Sequence, residues 1–206
     1  MKVSLTDAGK RFNRDWIFRH INYTFEADSS YAIVGPNGSG KSTLLQLLSG
    51  SMQPSEGNCS WSIANGQLTS DEIYNYVSIC APNLEVVEEM TLKEFLAFHN
   101  HFKQFLPALN IGYIISIIGL ENAADKQIRF FSSGMRQRVK LAQAFFSDTP
   151  LLLLDEPCTN LDATGIELYH ELIKDYCANR LVIVSSNDEV EYRFCKELIN
   201  VVQFKN

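Results

Sequence analysis

Two short segments of this chain carry residue types and spacings suited to phosphate chemistry. Gly35-Pro36-Asn37-Gly38-Ser39-Gly40-Lys41-Ser42, followed by Thr43, fits the pattern Gly-x4-Gly-Lys-Ser without exception. Glycines let the main chain curl until successive N–H groups converge on phosphate oxygens. A helix beginning there adds the positive end of its dipole. Lys41 is a point charge for the terminal phosphates, and the Ser42 hydroxyl is a ligand for Mg²⁺. The second segment, Asp155-Glu156, follows a run of four leucines. Strand ends are where α/β folds place ligand chemistry. There Asp155 is expected to hold the metal through water, and Glu156 to polarise a water beside the last phosphate. Each segment alone also reads as an ordinary turn, Gly-rich or acidic. Their co-occurrence points to a nucleoside triphosphate.

The elements that must position these residues are legible around them. Tyr31-Ala32-Ile33-Val34 is a short apolar run ending at Gly35, as a buried parallel strand would. Thr43–Ser49, with Leu44, Leu45, Leu47 and Leu48, reads as a helix stopped by Gly50. Leu151–Leu154 and Leu181–Val184 read as two more buried strands, and Leu198–Phe204 as a closing one. Helical patterns over Asp162–Cys177 and Glu189–Cys195 complete a βαβ alternation, which implies a mostly parallel sheet flanked by helices. Nearer the N-terminus, Val3, Leu5, Ile21, Tyr23 and Phe25 alternate with polar residues, the period of half-buried strands. Residues 51–82 read as hairpin strands and loops. Leu92, Phe95, Leu96, Phe98, Phe102 and Phe105 recur at helical spacing over Thr91–Phe105 until Pro107 breaks the pattern. Ile111–Ile118 and Ser133–Phe146 read as further helices.

Composition bounds the function class. The chain has 206 residues, enough for one domain or a domain with a small lobe. A net charge of −6 argues against a broad nucleic-acid-binding face. It leaves a single nucleotide open, because a few amides and one lysine suffice locally. The five cysteines, Cys59, Cys80, Cys158, Cys177 and Cys195, include no Cys-x-x-Cys pair, and their number is odd. They read as small buried hydrophobes in a reducing cytosol. The N-terminal stretch has no signal-peptide core, and no run approaches the ~18 apolar residues of a spanning helix. Any work at a membrane would need an anchoring partner. His20, His99, His101 and His170 fall at no motif position.

Phe131-Ser132-Ser133-Gly134-Met135-Arg136-Gln137-Arg138, upstream of Asp155, resembles the Leu-Ser-Gly-Gly-Gln signature of ATP-binding cassette (ABC) proteins. The resemblance covers nearly the whole chain. It implies an α/β fold: a P-loop NTPase core with a mostly parallel sheet, an antiparallel β subdomain and a small inserted helical lobe. Residues 1–83 and 133–206 would form the core, and 84–132 the lobe, of one ABC ATPase domain. It also implies ATP and Mg²⁺ as ligands, and Gly35, Pro36, Asn37, Gly38, Ser39, Gly40, Lys41, Ser42 and Thr43 as the nucleotide-binding loop. In the family the signature caps the γ-phosphate bound on another protomer, so two cassettes sandwich two ATPs head to tail. Ser132 and Gly134 match it; Phe131, Ser133 and Met135 depart, and Ser133 in place of glycine could crowd the phosphate. Thr159-Asn160-Leu161-Asp162 resembles the family's D-loop, which puts Asp162 at the protomer contact. Phe12 stands where an aromatic stacks on adenine, with Trp16 as the reserve. Asn83 aligns with a family Gln that contacts Mg²⁺, and is one methylene shorter. Asn187 aligns with a family His; it can donate to a γ-phosphate oxygen but carries no charge.

These features imply an ATP-hydrolysing motor subunit of an ABC transporter. It would be cytoplasmic, held at the inner face of the membrane by an integral membrane transporter subunit, and paired with itself or a sister cassette. Phe95, Phe98, Phe102 and Phe105 offer a surface for that partner, or are simply the lobe's own core. Two further readings are carried: a degenerate cassette that binds ATP, hydrolyses weakly and regulates a partner, and a soluble cofactor-assembly ATPase.

Overall fold

The computed structural model describes residues 1–205, which gather into two compact units. The first is built from Met1–Ile79, Pro150–Glu156 and the chain from Asn179 onward. It holds two sheets. In the antiparallel one, β1 (Lys2–Phe12) lies between β2 (Asp15–Glu26) and β4 (Glu56–Ile63), and β4 pairs with β5 (Gly66–Leu68). The pairs Val3↔Phe25 and Leu5↔Tyr23 carry out the alternation read in the sequence. The register then slips between Leu5 and Ala8, where Asp7 and, opposite, His20 take left-handed φ values of 48° and 56°.

The second sheet runs β6 (Val77–Cys80), β7 (Leu151–Asp155), β8 (Leu181–Ser185), β3 (Ser30–Val34), β9 (Glu197–Asn200). The pairs β7–β8, β8–β3 and β3–β9 are parallel. Every residue of β7 and β8 is buried, which is why these strands read as unbroken apolar runs rather than as alternation. Helix α1 (Lys41–Leu48) buries Leu44, Leu45, Leu47 and Leu48 in a core with Phe18, Ile33, Leu153 and Ile183. Trp61 Nε1 donates to the Leu48 carbonyl at 2.7 Å, satisfying an acceptor that the end of α1 leaves open. Cys59 and Cys80 are buried as expected, whereas Cys158, Cys177 and Cys195 are only half-buried; burial pushes the Cys59 thiol up to about 12.

The second unit comprises Cys80–Thr149 and Pro157–Ala178, so it contains the segment 84–132 and also two longer helices. Its helices are α2 (Leu92–Phe102), α3 (Ile111–Ile117), α4 (Ser133–Phe146) and α5 (Ala163–Tyr176). Each starts at a side-chain oxygen that accepts from a first-turn N–H: Thr91, Asn110, Ser132 and Asp162. At α2 the cap is reciprocal, because Glu94 also accepts from the Thr91 backbone.

Three expected boundaries move. α2 stops at Phe102, and the Phe105 N–H is taken by Asn100 Oδ1 at 2.8 Å. The helix over Glu189–Cys195 is only one turn, α6 (Glu189–Tyr192). The closing strand ends at Asn200, whose side chain accepts from Val202 and turns the chain into a 3-10 helix over Val201–Phe204. The phenylalanines divide: Phe95 and Phe105 are buried, while Phe98 and Phe102 are exposed and pack edge to face at 4.9 Å.

Candidate active site

The phosphate loop lies between β3 and α1, as its sequence requires. Gly35, Gly38 and Gly40 have φ of 149°, 73° and 106°. Gly40 has a second reason to be glycine: a Cβ there would lie 2.4 Å from Ile17 Cγ2. Lys41 is buried, and its Nζ donates to the Gly35 carbonyl at 2.8 Å and the Pro36 carbonyl at 3.4 Å. The ammonium thus rests on carbonyls of its own loop, among amide donors that suit an anion. Ser39 Oγ is buried in the same loop without a partner.

A cavity of about 280 Å³ opens on this loop, lined by Asn37, Lys41, Ser42, Thr43, Ile17 and Glu156, with Gly38 and Gly40. Glu156 therefore faces the same space as the lysine. Its backbone is left-handed, φ 43°, and its N–H donates to the Ser185 carbonyl at 2.9 Å. A non-glycine residue held in that region costs of order 1 kcal/mol and persists only where its surroundings enforce it. Here the enforcement comes from β8. The Ser185 hydroxyl also donates to Asp155 Oδ1 at 2.7 Å, fixing the buried carboxylate at the end of β7. The residues fit Mg²⁺: Ser42 and Asp155 are oxygen donors, and a hard cation shared with substrate phosphates needs one or two protein ligands rather than a full cage.

Asn187, in the loop after β8, donates from Nδ2 to Asn37 Oδ1 at 2.7 Å. The bond brings a neutral amide to the phosphate loop. Phe12 ends β1, is 46% exposed, and has Lys10 Nζ 5.5 Å from its ring centroid. Trp16 is flanked by two guanidiniums, Arg19 at 4.2 Å and Arg11 at 5.3 Å, and Arg19 is bidentate to Glu56. Phe12 has one cation near its ring and Trp16 has two, so Phe12 is the less crowded of the two stacking candidates. Sequence reasoning missed Ile17 and Ser185. Ile17 reads as one more strand hydrophobe, and Ser185 as the end of an apolar run.

In the second unit, Ser132 Oγ accepts from Met135 N at 3.2 Å and opens α4. Ser132, Ser133, Gly134 and Asp162 all line one cavity of about 510 Å³, with Asn160 and Arg138. Asp162 accepts from Gly165 N at 2.8 Å and Thr164 Oγ1 at 2.9 Å. Those bonds, with Arg138 beside it, hold its carboxyl below the usual range. Asn83 is exposed in the turn after β6 and belongs to this second unit. The signature and D-loop candidates thus come together on one unit, and the phosphate loop, Asp155, Glu156 and Asn187 on the other.

Comparison with known proteins bears on the family and the fold. The family described as ABC transporter matches residues 18–159. An ABC transporter ATP-binding protein of Bacillus subtilis is 32% identical over 187 residues, 90% of this chain and 85% of its own. A lantibiotic transport ATP-binding protein of Streptococcus pyogenes is 27% identical, over 92% of this chain and 82% of its own. Among solved structures, an ABC transporter ATP-binding protein from Pyrococcus furiosus superposes with a TM-score of 0.82 at 21% identity, covering 100% of both chains. A dimeric ATP-binding cassette in a post-hydrolysis state, bound to ADP and Pi, gives 0.80 at 22% identity, over 97% of this chain and 95% of that one. At such identities the superpositions establish the fold.

Proposed function

Because the chain belongs to the ABC transporter family and is one of its ATPase cassettes, we propose that it is the motor subunit of a transporter, working as a head-to-tail pair on a separate membrane subunit. The observation that carries this reading is that Lys41 and Glu156 line one cavity on the phosphate loop. The loop amides and Lys41 bind the β- and γ-phosphates of ATP. Ser42 and Asp155 would hold Mg²⁺, which when bound offsets phosphate charge. Glu156, held by β8 in its left-handed conformation, orients and polarises the attacking water. Asn187 donates toward the γ-phosphate. Phe12 stacks on the base.

Ser132, Ser133, Gly134 and Asp162 face the nucleotide of the second copy or sister cassette. Their gathering in one cavity supports that assignment. No described helix is long and apolar enough to cross a membrane; in this reading the membrane subunit supplies the attachment. Exposed Phe98 and Phe102 suit a contact with it better than buried Phe95 and Phe105.

The test is ATP turnover per chain across protein concentration. A motor acting as a pair rises in specific activity until dimers saturate. A specific activity independent of concentration, together with no integral membrane protein co-purifying from solubilised membranes, would favour the cofactor-assembly reading instead.

A further inference from the structure

Arg138, one turn into α4, is tied by side-chain hydrogen bonds to two other segments of its unit. Its Nη2 donates to Asp162 Oδ1 at 3.3 Å and to Thr164 Oγ1 at 3.1 Å. Its Nη1 donates to the Ile118 carbonyl at 3.4 Å. The guanidinium is 21% exposed and the partner carboxylate 72%, so the pair sits at the rim of the cavity that Ser132, Ser133 and Gly134 line. Asp162 is itself the cap of α5. One arginine thus links the start of α4, the start of α5 and the end of α3. An independent contact shows how close the first two are: a Cβ on Gly134 would come 3.0 Å from the Asn160 carbonyl oxygen. Asn160 holds that oxygen in place from a left-handed backbone, φ 65°.

We propose that Arg138 is a positioning residue that locks the loop Cys158–Asp162 against the signature turn, so that Ser132–Gly134 and Asn160–Asp162 meet a second copy's ATP as one preformed surface. The inference rests on the head-to-tail pairing proposed above. Its physical basis is the planar guanidinium, which reaches three acceptors in fixed directions; a lysine ammonium at the same place is a single point charge. Left free, the two segments would have to be ordered during association, at a cost in dimer affinity rather than in nucleotide affinity. Arg138 is not among the residues that line the phosphate-loop cavity, so a chain's own hold on ATP is expected to survive its loss.

The experiment uses the full chain in a Glu156→Gln background, in which ATP is bound but not turned over. Three quantities are measured for Arg138→Ala, Arg138→Lys, Asp162→Ala and the Arg138→Ala/Asp162→Ala double variant. These are affinity of the dilute monomer for a fluorescent ATP analogue, amide exchange at Gly165, and the ATP-dependent dimer constant by sedimentation. Expected results are an unchanged monomer affinity, faster Gly165 exchange in both single Ala variants, and an about tenfold weaker dimer for Arg138→Ala. Arg138→Lys is expected to recover less than half of that loss. The double variant should lose less than the sum of the two single losses, because the Arg138–Asp162 bond is common to both substitutions. Additive losses, full recovery by lysine, or a dimer unaffected by Arg138→Ala would overturn the proposal. If Glu156→Gln alone binds the analogue yet forms no dimer with ATP, the pairing itself is wrong and this inference falls with it.

Discussion

Lys41 Nζ rests on the Gly35 and Pro36 carbonyls, and its proposed task is to hold the terminal phosphates. Charge-assisted bonds to phosphate are worth about 1.5–3 kcal/mol each. Lys41→Ala is therefore expected to weaken Mg-ATP binding by about ten- to a hundredfold, read by titration calorimetry; an unchanged affinity would contradict its role. Gly40→Ala tests the loop differently. Its φ of 106° and the 2.4 Å approach to Ile17 leave no room for a methyl group. It should weaken nucleotide binding and lower Tm together, whereas a loss of binding alone would place the effect elsewhere. Asn187 bonds Asn37 through an uncharged amide. Asn187→His, which restores a titratable ring, is expected to raise turnover above the native rate with little change in ATP affinity. No rise would count against the reading of Asn187 as a phosphate donor. The phosphate loop and the carboxylate pair were legible from sequence because their chemistry needs residue types at fixed spacing. Ile17, Ser185 and the Arg138 link were not. Their roles come from chain segments far apart in sequence, and nothing in an isoleucine, a serine or an arginine announces the neighbour that folding brings to it.

At the level of elements, the caps and one half-buried histidine make measurable predictions. Thr91 and Glu94 form a reciprocal cap on α2. Thr91→Ala should cost about 1 kcal/mol, a fall of about 2–4 °C in Tm for a chain of this size. His99, on α2, has Nε2 2.9 Å from Ser147 Oγ, whose own proton goes to the Gln143 carbonyl at 2.6 Å. The imidazole therefore donates from Nε2. Burial, with the charge of Lys103 adding, pushes its pKa down to about 4. The unfolded chain then binds the proton first. The stability contributed by neutral His99 is complete above pH ~6.5 and lost as pH falls toward 4, on the order of 2 kcal/mol after allowance for partial exposure. Urea midpoints between pH 7 and 4.5 should fall less steeply for His99→Gln than for the native chain; parallel slopes would contradict this. Helix starts were readable because caps are local chemistry. Helix and strand ends were less so. Asn100 and Asn200 each divert the backbone with a side-chain oxygen, in competition with the apolar pattern that suggested α2 and β9 would run on. The same periodicity could not say which phenylalanines α2 buries, since Phe95 and Phe98 differ only in what packs against them.

For the whole molecule, the α/β plan was readable because parallel strands buried on both faces leave unbroken apolar runs, and turns and helices must fall between them. The two units divide the labour proposed here: one grips a nucleotide and positions Glu156, while the other offers Ser132–Gly134 and Asp162 to a second copy. On the proposed reading such a molecule is expected to be more active as a pair than alone. The most direct test of the central claim compares native protein with Glu156→Gln for Mg-ATP affinity and steady-state phosphate release. Equal affinity with turnover reduced by about a hundredfold or more is the result that a positioned carboxylate requires. A native rate no higher than that of Glu156→Gln would show that this carboxylate activates no water, and the account of the chain as a motor would be wrong.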